Sequence, residues 1–161
     1  MASILPPIPR FIFTIFEPLT LVAGWLGPTF STEYFVTAQL PSTNTAWATS
    51  TWPTTQILAL QLGNVYGLLG MIGVGVLYQT TETKVVRNFL LACAVADVGH
   101  LYVTYAVMGK DFWDVAQWND VAWGNIGITG FLFIVRCLYL AGALGNDRVL
   151  EKTKQETKKN R

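Results

Sequence analysis

Apolar residues run along most of this chain in long blocks, with polar residues gathered between them. A helix that crosses a bilayer needs about 20 mostly apolar residues. Four stretches meet that need, about Ile8–Gly27, Ile57–Tyr78, Val85–Met108 and Trp123–Leu144. The second stretch carries no charge. The first has Arg10 near its start and Glu17 inside, and Pro18 interrupts it. The third begins near Arg87 and holds Asp97 and His100 near its middle, and the fourth holds Arg136. The pattern predicts an all-α membrane protein, a four-transmembrane-helix bundle over residues 1–145 with a basic tail at 146–161.

Composition agrees with that pattern. The 161 residues are 52% hydrophobic and 13% charged, where a soluble domain carries about 25% charged residues. A disordered polyampholyte, a basic nucleic-acid binder and an ordinary cytosolic enzyme are excluded. The bilayer is the expected environment, and one domain is the natural count for this length.

Basic residues flank membrane spans mainly on the cytosolic side. With four spans, Arg10, Lys84, Arg87, Arg148, Lys152, Lys154, Lys158, Lys159 and Arg161 fall on one side, and Lys110 is the basic residue of the other. Both termini are therefore expected in the cytosol, in the endoplasmic reticulum or another endomembrane. The tail is expected to set topology, to attract anionic lipid weakly, and either to fray or to extend the fourth helix. Met1–Pro7 lacks the basic start of a signal peptide, so the first helix is expected to remain as an uncleaved anchor. Trp25, Trp47, Trp52, Trp113, Trp118 and Trp123 all fall at or beyond the ends opposite the termini. Indole rings favour the headgroup level, so anchoring accounts for them. The 28–56 and 109–122 loops could also fold back as a lid.

Cys93 and Cys137 lie inside spans and read as reduced packing residues rather than a disulfide framework. Nucleotide-binding, HExxH and CxxC patterns are absent, and no cofactor or metal is expected. Gly63, Gly67, Gly70 and Gly73 in the second span, and Gly124, Gly127 and Gly130 in the fourth, are expected to let helix backbones approach closely.

The candidate chemistry lies in the polar residues at depth, which are costly in a span and face a bundle interior or a cavity. At about 1.5 Å rise per residue, Glu17 lies about 15 Å from the loop end and Asp97 about 16 Å. His100, Tyr66 and Asn64 come out at about 12, 13 and 10 Å, and Arg136 near 20 Å. Gln61 and Asn125 are shallower. Asp97 and His100 are three residues apart and share a face with Cys93 and Thr104. Gln61 and Asn64 make a similar amide stripe. Pro18 pushes Glu17 out of the α region and frees the carbonyl of Thr14. Neither carboxylate stays ionised at that depth without a partner. A protonated Glu17 and an ionised Asp97 paired with His100 would divide acid and base roles between two carboxyl groups. Such a pair can protonate an epoxide oxygen or an alkene and deprotonate water, a hydroxyl or a carbon beside a cation.

The run Arg10-Phe11-Ile12-Phe13 to Glu17-Pro18, then Gln61-Leu62, Tyr66-Gly67-Leu68-Leu69, Asp97 with His100, and Trp123-Gly124-Asn125 resembles a family of small four-helix fungal membrane proteins. The resemblance extends to about Arg148. The nearest functional relatives it suggests are the small epoxide hydrolases and cyclases of aurovertin- and citreoviridin-type polyketide pathways. It implies a lipophilic small-molecule substrate and other pathway enzymes as partners. From depth and face, Glu17 and Asp97 are the expected acid–base pair, with His100 orienting Asp97. Asn64 or Tyr66 would hold the epoxide oxygen, and Gln61, Asn125 and Arg136 complete the expected substrate-binding set. Sterol isomerase-like proteins are also similar, with a small bundle and buried acidic and histidine residues. Isomerisation or cyclisation of a terpenoid or sterol is therefore the enzymatic alternative. A non-catalytic lipid-binding or partner protein, with the polar layer fixing helix register, is the other.

Overall fold

The computed structural model describes residues 4–40 and 52–148, with the side chain of Trp52 left out. It is helical, and four of its helices are long and apolar enough to cross a membrane. They are span 1 (Pro7–Phe30), span 2 (Pro53–Gln79), span 3 (Thr83–Trp113) and span 4 (Asp120–Leu140). Ile4 accepts a backbone hydrogen bond from Arg148 at 2.6 Å, so the two ends of the described chain meet at one end of the bundle. Trp47 and the tail beyond Arg148 lie outside the described residues.

Span 1 packs chiefly against span 2, and span 3 against span 4. Glycine sets the first of these contacts. A Cβ at Gly63 would lie 2.6 Å from Pro28 Cγ and 3.2 Å from the Trp25 carbonyl oxygen, and one at Gly67 would lie 3.2 Å from the Trp25 ring. In span 4 the expectation fails, because Gly124 and Gly130 have open space at their Cβ positions, and Gly127 accommodates Trp123 of its own helix.

Pro18 does not interrupt span 1. Residues Ile12–Phe16 widen into a π-helical turn, and Glu17 keeps α-region angles (φ −61°, ψ −46°). The expected departure of Glu17 from the α region is therefore corrected: the wider turn before it absorbs the proline. The Thr14 carbonyl accepts instead from the Tyr78 hydroxyl of span 2 at 3.0 Å. A second π-helical turn, Trp123–Ile128, opens span 4.

Span 4 stops at Leu140 rather than running on. Gly142 takes φ +80°, Ala143 N–H reaches the Leu138 carbonyl and Gly142 N–H that of Tyr139. This left-handed cap satisfies the last carbonyls of the helix, and the chain then turns back so that Asp147 accepts from the Tyr139 hydroxyl at 2.9 Å.

The core fills the terminal half of the bundle, where Leu5, Phe13, Leu77, Val86, Leu90, Leu132 and Tyr139 are buried together. Arg87 closes it, donating to the Leu140 carbonyl at 2.6 Å and lying over the Tyr139 ring. Outward faces carry large apolar side chains such as Leu58, Val95, Val103 and Ile134, as a bilayer solvent requires. Cys93 is buried, but Cys137 is exposed.

Candidate functional site

The half of the bundle away from the termini is hollow. A cavity of about 670 Å³ lies between the helix pairs, lined by small or apolar residues of all four spans, including Gly24, Leu69, Ala96 and Ile128. At its inner end Arg136 of span 4 is only 1% exposed. Its Nη2 donates to Glu17 Oε1 of span 1, and its Nη1 to Asp97 Oδ2 of span 3. The guanidinium also lies over the Phe13 ring, 5.4 Å from its centroid. Its Nε–H finds no acceptor among the described residues.

This triad corrects one expectation. Asp97 pairs with Arg136 rather than with His100, and Arg136, which also lines the cavity, holds both carboxylates. The reason is reach. The long side chain of Arg136 carries its guanidinium to both carboxylates.

His100 and Tyr66 line the cavity, as does Cys93. His100 Nε2 is buried with no hydrogen-bond partner among the described residues, and the His100 carbonyl accepts from the Thr104 hydroxyl at 2.8 Å. Asn125 also lines the cavity, with its amide donating to Gln39 Oε1 at 2.7 Å. Gln61 and Asn64 do not belong to the site: both are exposed on the outside of span 2. Residues two apart on a helix differ by about 200°, so with Tyr66 facing the cavity Asn64 must face away.

The mouth is bridged by groups that the sequence did not single out. After span 1 the helix Thr32–Thr37 turns across the open end, and Tyr34 Oη donates to Asp120 Oδ1, the first residue of span 4, at 2.5 Å. That bond raises the Tyr34 hydroxyl above its ordinary pKa, because losing the proton would set two anions together. Asn119 caps span 4 by accepting from Ala122 N–H at 2.8 Å and donates to the Ala38 carbonyl at 2.9 Å. Ser31, Tyr34 and Phe35 after span 1, and Asp120 and Val121 at the start of span 4, line the cavity. Nothing in the sequence pairs Tyr34 with Asp120, because they meet through tertiary placement alone.

Among the described residues no group of three or more His, Cys, Asp or Glu is placed to hold a metal ion. What the site offers is a carboxyl pair on one guanidinium, at the bottom of an apolar cavity with a polar mouth.

A family model described as a domain of unknown function, DUF7704, matches residues 2–146, the whole bundle. The chain belongs to this family. No curated protein and no solved structure matches it. The matched region contains Glu17, Asp97, His100 and Arg136 and ends just past span 4.

Proposed function

We propose that this DUF7704 protein is a membrane-embedded acid–base enzyme that opens epoxides of a lipophilic substrate, by hydrolysis or cyclic-ether formation, in polyketide secondary metabolism. The observation that carries the reading is the Glu17–Arg136–Asp97 triad at the inner end of the cavity. One guanidinium offsets one carboxylate. A proton on the second carboxyl group leaves the triad uncharged, which apolar surroundings favour. The result is an acid and a base held on one cation.

In the reaction, the protonated carboxyl gives its proton to the epoxide oxygen as a carbon–oxygen bond breaks. The carboxylate takes a proton from water, or from a hydroxyl of the substrate, as that oxygen bonds to the opened carbon. One proton leaves and one arrives, so the triad keeps its charge and the two carboxyl groups exchange roles. His100 Nε2, without a partner among the described residues, supplies a polar contact for a substrate oxygen. The apolar walls hold the carbon chain, and the polyketide assignment rests on the resemblance of the sequence to small fungal epoxide hydrolases and cyclases.

We also infer that both termini face the cytosol in an endomembrane, because Arg10, Lys84, Arg87 and Arg148 flank the terminal end while Lys110 flanks the other. Other enzymes of the pathway would then deliver substrate through the bilayer.

The test is turnover of a polyene epoxide in water enriched in heavy oxygen by the protein in lipid nanodiscs. Hydrolysis places one labelled oxygen in the product, and cyclic-ether formation consumes the epoxide without label. Glu17→Gln and Asp97→Asn should each stop both. A non-catalytic reading has one observation in its favour, that the triad ties the two helix pairs together. Under that reading both variants change stability, and there is no turnover to lose.

A further inference from the structure

Gln61 and Asn64 stand outside the cavity, and their position raises a separate question. Asn64 lies two residues from the middle of span 2 (Pro53–Gln79), about 3 Å along the axis, so its amide sits near the bilayer midplane. It is exposed there, as is Gln61. An amide carries donors and acceptors that hydrocarbon cannot satisfy.

The two amides belong to a longer stripe. Ile57, Gln61, Asn64, Leu68, Met71 and Gly75 are all exposed and follow one another at alternating intervals of four and three residues. That spacing marks the seam of a left-handed coiled coil and of most helix pairs in membranes. It lies on the face of span 2 turned away from the cavity wall formed by Tyr66 and Leu69. Span 2 is also the span least covered by the other described residues. At Gly75 a Cβ would meet nothing within 4 Å, which leaves room for a close neighbour.

We propose that this stripe is the interface between two copies of the chain, with span 2 packed against span 2 about a two-fold axis in the membrane. The electrostatics favour a second copy. The stripe carries no charge, so like faces do not repel, and each amide offers the donor and acceptor that its counterpart needs at the same depth. The two-fold pairing brings Asn64 to Asn64 near the axis, where one amide satisfies the other, as polar residues do at seam positions of coiled coils. The interface lies on the outer surface, so each protomer keeps its own cavity. The proposal is independent of the reaction assigned to that cavity.

The experiment uses the full chain in liposomes of neutral phosphatidylcholine, with Cys93 and Cys137 both replaced by serine. Single cysteines at Ile57, Leu68 and Met71 should cross-link to dimers under mild oxidation. Cysteines at Leu62 of span 2, Val95 of span 3 and Ile134 of span 4, exposed on other faces, should not. Asn64→Leu should weaken association, read by single-molecule photobleaching at a series of protein densities, by about five- to thirtyfold. Monomers at every density, cross-linking without the four-and-three periodicity, or undiminished association of the Asn64→Leu chain would each overturn the interface.

Discussion

A guanidinium that is 1% exposed and holds two carboxylates is costly to disturb from either side. Removing Arg136 alone leaves two carboxyl groups facing each other in an apolar site. Arg136→Leu should therefore lower stability by about 3–5 kcal/mol, measured by denaturant titration in bilayer mimetics. Replacing Glu17, Asp97 and Arg136 together by apolar residues of similar size should return most of that loss, since whole buried ion networks can be replaced at little cost. An enzyme then keeps its fold and loses turnover. At the mouth, the Tyr34 hydroxyl should titrate above the ordinary tyrosine value of about 10, because Asp120 accepts its hydrogen bond. The sign follows from linkage: the bond's contribution is complete below the ordinary value and is lost as pH rises through the raised one. Tyrosinate absorbance of the wild type compared with Tyr34→Phe identifies the transition, and Asp120→Asn should move it down. The sequence shows which polar residues lie inside the spans, and Glu17, Asp97 and His100 line one cavity. Direction was less legible. Asn64 has the opposite bearing, and nothing in the spacing shows that the Arg136 guanidinium meets both carboxylates.

Among the elements, span 1 and span 2 depend most on local sequence. The small face of span 2 receives Trp25 and Pro28, so Gly63→Ala should cost about 1–3 kcal/mol through overpacking, while Gly124→Ala, with open space at its Cβ, should change stability little. Thermal unfolding of the two purified variants checks the contrast. The four spans could be read from the hydrophobic blocks because length and apolarity are all that a bilayer demands of them. The freed Thr14 carbonyl could be read from Pro18, and it does find another donor. The π-helical turns could not be read, since they answer to strain and tertiary contact rather than to periodicity. Both lie at the site: one ends directly before Glu17 and the other contains Asn125. Wide turns of this kind recur at functional sites. The end of span 4 was also placed too late, because the apolar run continues through Ala141–Leu144 while Gly142 has already turned the chain.

The whole molecule reverses the plan of a soluble bundle in its open half, with apolar side chains outside and charged ones within. The terminal half is packed and the other half is hollow, and the triad sits at the boundary between them. Burial there keeps the charges from lipid, and the cavity keeps them reachable. If the basic residues set orientation as proposed, a cysteine replacing Lys84 in sealed microsomes should react with an impermeant maleimide added outside, and one replacing Lys110 should react only after the membrane is opened. Labelling in the opposite order would invert the assignment without altering the bundle. The central claim rests on two side chains, and the most direct test is turnover of a polyene epoxide by Glu17→Gln and Asp97→Asn proteins whose unfolding transitions confirm a native fold. The account predicts that wild type forms diol or cyclic ether and that neither variant does. Product formation at the wild-type rate by both would contradict it.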